Sequence, residues 1–117
     1  MNAKDVVLKF ESALDKKDYA GARALLADDL HFQGPIDTFH SADPYIAALE
    51  RLGGMVDHID VKKVFADGDE VAVFCDLVMK KPAPTAFVAE WYAVAHGKIR
   101  SVRVVFDARP FAPPGKH

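Results

Sequence analysis

The hydrophobic and polar positions of this chain follow two periods, and the change comes near residue 55. Before it, apolar residues recur every three or four positions through 6–17, 19–27 and 44–52, which predicts three amphipathic helices, with a short strand at 30–34. After it, the segments 56–66, 71–80 and 85–111 have the pattern of strands separated by turns. We expect caps at Asp18 and Asp43 for the second and third helices, and a tight turn at His96-Gly97 in the last hairpin.

This order of elements predicts the fold class. Helices gathered ahead of the strands indicate an α+β protein rather than an alternating α/β one. We expect a cone-shaped α/β-barrel-like fold, in which three N-terminal helices pack on a curved, mainly antiparallel sheet and leave a cavity. Residues 1–111 are expected to form a single domain, followed by a loosely ordered, proline-rich tail at 112–117.

Composition narrows the class of protein. An apolar fraction of 50% and a charged fraction of 27% are typical of a globular domain, and a net charge of −2 gives no basic surface for nucleic acid. No apolar run reaches membrane-spanning length and the N-terminus lacks a secretory signal pattern, so we expect no membrane partner. The single cysteine, Cys75, is interpreted as a buried structural thiol and is compatible with a cytoplasmic protein.

Glu90 is the first candidate for a functional group. In the first strand of the last hairpin it shares a face with Val88 and Tyr92, whereas Phe87 and Trp91 share the other face, and both faces are apolar. A carboxylate in the centre of such a face is costly unless it is paired, neutral or used. The sequence therefore predicts an acid with a role in a cavity, the alternative being a buried partner of an Arg or a His.

Asp76, His31 and Gln33 are predicted to join Glu90 and Tyr92. If the Asp76 face of its strand is concave, Asp76 points toward Glu90, while His31 and Gln33 share a strand face at the cavity mouth. Asp76 or His31 then serves as a base, and Glu90 or Tyr92 as an acid, since an apolar site can keep a carboxylic acid protonated. Two alternatives stay open: Asp76 accepts hydrogen bonds from a neighbouring strand or from Arg100 or Arg103, or His31 faces solvent.

The opposite face of the sheet is predicted to be a subunit contact. So much apolar area on an exposed sheet face favours a homodimer through the outer sheet face. The residues assigned to that face are Val73, Cys75, Leu77, Trp91 and Ala93.

Several segments together resemble the SnoaL-like branch of the nuclear transport factor 2-like superfamily. They are VVLKFESALDKKDYAGARALLADDLHF near the start, the Gly34-Pro35 break, the helix YIAALERL, and the closing HGKI and VFDARPF. The resemblance covers residues 4–111 and implies the cone-shaped fold. It leaves the activity open, because the superfamily includes isomerases, epoxide hydrolases, cyclases, binding proteins and members without catalysis.

Similarity to the steroid isomerase-like members implies three site positions. Those enzymes use a Tyr on the first helix, an Asp beside the first-strand proline, and a carboxylic acid on the strand before the GKI hairpin. In this chain the three positions hold Phe10, Gly34 (or Gln33 with a shift of one residue) and Glu90. Only the carboxylic acid matches, so the resemblance does not predict that specific chemistry.

Similarity to the limonene epoxide hydrolase-like members implies a second set. Those enzymes hold a water between two aspartates, with an Arg between the carboxylates and a Tyr/Asn pair on the first strand. The matching positions are His31 and Gln33 for the Tyr/Asn pair, Asp76 and Val104 for the aspartates, and Phe74 for the Arg. The water-activating set is incomplete, because the positions of the Arg and the second Asp hold apolar residues. The resemblance therefore implies a polar cavity whose side chains differ from those of the epoxide hydrolase-like members.

We therefore expect a pocket for a small, mostly apolar molecule, with Phe10, Tyr45, Phe74 and Val104 beside the polar groups. If the protein is an enzyme, the expected chemistry is proton transfer without a cofactor, as an isomerase, cyclase or epoxide hydrolase. No metal site is expected. The alternative is a non-catalytic ligand-binding or dimeric assembly module. A transport adaptor like the superfamily's namesake has no peptide-binding groove in this sequence to support it.

Overall fold

The computed structural model describes residues 1–111, so the tail predicted at 112–117 lies outside the described residues. The helices are α1 (Ala3–Asp15), α2 (Tyr19–Arg23) and α3 (Ala42–Gly53), with a 3-10 turn at Arg109–Phe111. The strands are β1 (Leu26–Gln33), β2 (Thr38–Phe39), β3 (Val56–Asp67), β4 (Glu70–Met79), β5 (Ala86–Ala95) and β6 (Lys98–Val105).

The strands form one curved sheet in the order β2-β1-β6-β5-β4-β3. Its neighbouring strands are antiparallel except for β1 and β6, which run parallel. The helices pack on one face of this sheet, and the sheet does not close into a full barrel because β2 and β3 are its two edges. The predicted α+β class and helix-on-sheet architecture are confirmed.

Local chemistry explains most element boundaries. Asn2 and Asp18 cap α1 and α2 by accepting hydrogen bonds from the backbone N–H groups three residues later, at 2.8 and 3.0 Å, and the cap at Asp18 was predicted. The second helix ends at Arg23 rather than at residue 27, because the Ile99 N–H of β6 hydrogen-bonds to the Leu25 carbonyl at 2.8 Å. This pairing also starts β1 at Leu26 instead of residue 30.

The start of α3 and the last turn test two further expectations. The cap predicted at Asp43 is wrong: Ser41 is the residue before α3, and Asp43 lies in the first turn, where its carboxylate accepts a hydrogen bond from Arg23 Nε at 2.7 Å. The predicted tight turn between β5 and β6 is confirmed, since His96 and Gly97 both have positive φ, 54° and 73°. Positive φ at both central residues gives a two-residue hairpin the twist of its strands.

The two faces of the sheet are set by strand register. On β5 the predicted alternation is confirmed: Val88 and Tyr92 are buried under the helices, whereas Phe87 and Trp91 are exposed. On β4 the predicted orientation is wrong, because Val73 lies opposite Glu90 in the ladder and directly opposed residues share a face. The inner face of β4 therefore carries Val71, Val73, Cys75, Leu77 and Met79, three of which were expected on the outer face.

Candidate functional site

A cavity of about 450 Å³ lies between the helices and the inner face of the sheet. This volume lies within the range of about 300–1,000 Å³ that is typical of small-molecule sites. Its walls are mainly aromatic and aliphatic, and six of the residues that form them are Phe32, Phe39, Tyr45, Leu49, Leu77 and Val88.

Two carboxyl groups meet in this cavity, Glu90 from β5 and Glu11 from α1. Glu11 is only 3% exposed, and its Oε1 accepts a hydrogen bond from the Tyr92 hydroxyl at 2.5 Å. The carboxyl groups of Glu11 and Glu90 lie within hydrogen-bonding reach of each other. Helix α1 and strand β5 therefore bring together two acids that are 79 positions apart in the sequence (90 minus 11).

The electrostatics favour a proton on Glu90. Burial raises the pKa of Glu90 well above its ordinary value, and the negative charge of Glu11 raises it further. Burial also raises the pKa of the Tyr92 and Tyr45 hydroxyl groups, so both tyrosines stay neutral donors. Burial thus favours the carboxylic acid form of Glu90, which can donate a hydrogen bond, next to Glu11, whose Oε1 accepts one from Tyr92.

Cys75 lies on the inner face of β4, against this pair. Its thiol is 3.8 Å from Glu90 Oε1, the side chain is 1% exposed, and burial raises the pKa of the thiol. A buried thiol that stays protonated is a poor nucleophile. The interpretation of Cys75 as a buried structural residue is consistent with this, although its predicted place on the outer face is wrong.

Asp76 does not reach the cavity, contrary to the prediction that it shares a hollow with Glu90. It lies opposite Phe87 in the ladder and therefore on the outer face, where its Oδ2 is 3.8 Å from Lys62 Nζ. Its cationic neighbour is thus a lysine of β3 rather than an arginine. Phe74 is on the same outer face, with its ring 6.4 Å from that of Phe87, so its predicted place in the pocket is also wrong.

His31 and Gln33 also lie away from the cavity. Both are exposed, because on β1 the residues that turn inward are Leu30 and Phe32. The His31 ring faces His40 at 5.0 Å between centroids. The alternative in which His31 faces solvent is therefore the one that the structure supports.

The remaining predicted residues lie on the inner side. Tyr45 and Val104 line the cavity, and Val104 is opposite Glu90 in the β5–β6 ladder. Phe10 and Tyr92 are fully buried behind the cavity wall, with ring centroids 6.1 Å apart in an edge-to-face arrangement. Only the Tyr92 hydroxyl takes part in the polar group, through Glu11.

Sequence reasoning missed Glu11, which it grouped with the polar residues of the first helix. A signal was present: Glu11 is four residues after Val7 and three before Leu14, so it lies on the apolar stripe of α1. A carboxylate on the apolar stripe of a helix is as costly as one on the apolar face of a strand, so Glu11 carries the same signal as Glu90.

Residues 1–111 contain neither a metal-binding cluster nor a membrane-spanning helix. In that part of the chain, no group of three or more His, Cys, Asp or Glu side chains is arranged to hold a metal ion. None of its helices combines the length and apolar character needed to cross a bilayer.

Solved structures with the same fold are numerous. An NTF2-like protein of unknown function from Cytophaga hutchinsonii is 26% identical, with 94% of each chain covered and a TM-score of 0.82. An LEH-like epoxide hydrolase from M. tuberculosis is 24% identical, covering 91% of this chain and 83% of its own, with a TM-score of 0.78. A candidate ketosteroid isomerase from Kribbella flavida is 20% identical over 98% of this chain and 84% of its own, also with a TM-score of 0.78. The last two likenesses establish the fold alone.

Sequence comparison gives the family directly. A search of curated proteins finds no match. The family model for the SnoaL-like domain, however, matches residues 7–102, which is most of the chain. Together with the NTF2-like architecture, this match confirms the predicted resemblance: the chain belongs to the SnoaL-like domain family.

Proposed function

We propose that this protein binds a small, mostly apolar molecule in the cavity and exchanges a proton with it through Glu11 and Glu90. The observation that carries the proposal is the pair of carboxyl groups in an apolar cavity large enough for a ligand. Glu90 is the proton donor, because its pKa is raised by burial, and Glu11 is the acceptor, oriented by the Tyr92 hydroxyl. This assignment replaces Asp76 and His31, which lie outside the cavity.

Such a pair suits reactions in which a base takes a proton from a carbon or a water molecule while an acid donates a proton or a hydrogen bond to an oxygen. Isomerisation, cyclisation and epoxide opening all belong to this class and need no cofactor when an acid and a base are preorganised. The epoxide hydrolase and the candidate ketosteroid isomerase that share this fold are in keeping with it. We place the protein in the cytoplasm, in keeping with its single, buried thiol.

Hydrogen–deuterium exchange at the carbon next to a ketone tests the proposal without knowledge of the natural substrate. The probe is 2-tetralone in D2O, followed by proton NMR with and without protein. We expect exchange to accelerate with the wild-type protein and to slow by at least about 10-fold in Glu90→Gln and Glu11→Gln. Asp76→Asn, which changes an acid on the outer face, is the matched control and should exchange at the wild-type rate. Equal rates in all four proteins would contradict the proton-transfer role.

Binding is tested separately from catalysis. Amide chemical-shift changes on addition of 2-tetralone are expected at cavity residues such as Leu49 and Val88, and not at Phe87 on the outer face. A bulky substitution that fills the cavity, Leu49→Trp, should abolish them. Shift changes confined to the outer face would reject the cavity as the binding site.

The second candidate function is assembly, and we propose a homodimer through the outer sheet face. Phe65, Phe87, Trp91 and Val105 are 60%, 60%, 50% and 66% exposed on that face. Exposed apolar patches of this kind mark interaction sites on most proteins. Sedimentation analysis should give a dimer for the wild type and a monomer for Phe87→Asp, whereas Met55→Asp, which changes an exposed apolar residue away from the outer face, should remain dimeric. A wild-type monomer at all concentrations would reject this proposal.

A further inference from the structure

The two acids of the cavity form no ion pair in the described part of the chain, although Lys17, Arg51 and His58 are among the residues that line the cavity. Glu11 is nevertheless 97% buried, and its partners are the Tyr92 hydroxyl and the Glu90 carboxyl. A buried negative charge without a counter-ion is costly, even when it accepts hydrogen bonds.

We infer that the molecule taken by this cavity is an apolar amine, whose positively charged nitrogen lies between the carboxyl groups of Glu11 and Glu90. This inference rests on the binding part of the proposed function, because it names the chemical class of the ligand at the same site. With the ammonium ion bound, Glu90 is ionised and serves as a counter-ion rather than as the proton donor. A protonated amine supplies the missing counter-charge and the N–H donors that two carboxylates accept.

The aromatic residues that line the cavity can contact the apolar part of such an amine. Phe32 and Tyr45 stack with centroids 4.6 Å apart, and Phe39 lies 5.8 Å from Phe32. All three rings line the cavity. They provide apolar surface for the ligand's body and π-faces that attract a cationic centre.

Binding of a cation has a defined proton balance. The free protein holds a proton on Glu90, and a charged ammonium ion enters from solution. For both carboxylates to pair with the ammonium, Glu90 must lose its proton to the buffer, so up to one proton is released for each molecule bound. A neutral ligand that accepts a hydrogen bond from Glu90 releases none.

The pH dependence has an opposite sign for the two kinds of ligand. Amine affinity should rise with pH toward the raised pKa of Glu90, as long as the amine stays protonated, because ionised Glu90 binds it better. A hydrogen-bond acceptor should bind more weakly over the same range. The titratable groups that face Glu90 are Glu11 of α1, Tyr45 of α3, Cys75 of β4 and Tyr92 of β5 itself, while β6 contributes Val104. Asp15, Lys17, Asp37, Arg51 and His58 also line the cavity.

A pair of probes of equal shape tests the inference on the wild-type protein. Naphthalen-1-ylmethylamine is cationic at pH 7, and naphthalen-1-ylmethanol is its neutral counterpart. Isothermal titration calorimetry in two buffers with different ionisation enthalpies gives both the affinity and the number of protons released. We expect the amine to bind roughly 10- to 100-fold more tightly than the alcohol at pH 7, as for hydrogen bonds to charged groups, and to release protons.

Two variants test whether proton release on amine binding comes from the Glu11–Glu90 pair. Glu90→Gln keeps the shape of the protonated side chain and leaves His58 in place, so it should abolish proton release, whereas Asp76→Asn should bind and release as the wild type does. Equal affinity of the two probes, or tighter binding of the alcohol, would overturn the inference and leave the proposed pocket standing. Failure of both probes to bind in the cavity would overturn the two together.

Discussion

Glu90 on the inner face of the sheet and Asp76 on its outer face are carboxyl groups of neighbouring strands with opposite surroundings. Glu90, on the inner face, lies beside a second acid and forms no ion pair within residues 1–111, and burial favours its protonated form. Asp76, on the outer face, has a side chain that is 29% exposed and lies 3.8 Å from the ammonium group of Lys62. The face of a strand, more than its local sequence, therefore decides whether an acid becomes part of a site.

The hydrophobic residues of the two faces differ in the same way. Phe10 and Tyr92 are completely buried between the sheet and α1 and form the core behind the cavity. On the outer face, Phe65, Phe74 and Phe87 form a row of rings with centroids 6.1 and 6.4 Å apart, and its two ends are exposed. The inner residues hold the fold together, while the outer ones are available to a second copy of the chain.

The largest expected difference between the two faces is the loss of stability caused by one additional acid. Val88 is 2% exposed on the inner face, and its neighbour Phe87 is 60% exposed on the outer face. We expect Val88→Asp to lower the free energy of unfolding by about 3–5 kcal/mol, because it buries an unpaired charge, and Phe87→Asp by less than about 1 kcal/mol. Urea unfolding at low protein concentration, where self-association contributes little, measures both. Similar losses would mean that the two faces are not distinguished by burial.

A smaller effect is expected from removing one hydrogen bond on each face. Tyr92→Phe removes the 2.5 Å donor to buried Glu11, and Trp91→Phe removes an exposed 2.8 Å bond from the indole to Glu70. The first should cost about 2 kcal/mol, since it leaves a buried acceptor unsatisfied, and the second about 0.5 kcal/mol. Thermal and urea unfolding of the two single variants give the comparison. A larger loss for Trp91→Phe would contradict the central role of the Glu11–Tyr92 contact.

Glu90 and Asp76 should also differ in their effect on how the free energy of unfolding depends on pH. The folded protein keeps the Glu90 proton at pH values where the unfolded chain, with an ordinary pKa of 4.5, has lost it. The wild type therefore loses stability as pH rises from about 4.5 toward the raised pKa, by up to about 1.4 kcal/mol per pH unit. In Glu90→Gln this loss should disappear, so the variant gains on the wild type as pH rises, whereas Asp76→Asn should keep the wild-type slope. Parallel curves for wild type and Glu90→Gln would show that the Glu90 carboxyl is not protonated in the folded state.

The sequence predicted those parts of the fold that depend on local pattern. The helices, the β5–β6 turn and the alternation on β5 follow from short-range rules, and each is present. The orientation of β4 does not follow from such rules, because apolar residues occupy both of its faces: Val73 and Cys75 on one, Phe74 and Val78 on the other. Only pairing with β5 fixes which of these faces the helices cover.

The candidate site was predictable to the same limited extent. Glu90 was identified because one acid interrupts an apolar face of a strand whose alternation was correct. Asp76 and His31 were misplaced because their strands were given the wrong orientation, and no local rule corrects such an error. Glu11 was missed although it lies on the apolar stripe of α1, but its pairing with Glu90 could not be predicted, because only the folded structure brings the two carboxyl groups together.

The parallel pairing of β1 with β6 has a consequence for biosynthesis. Phe32 of β1 is paired with Val102 of β6 in the ladder. Strand β1 can therefore form this pairing only after β6 has been synthesised. During synthesis, the apolar side chains of α1 and β1 therefore stay exposed to solvent until β6 has been made. Chains with exposed apolar surface are prone to aggregate. A chain truncated before β6 should therefore neither fold stably nor form the cavity.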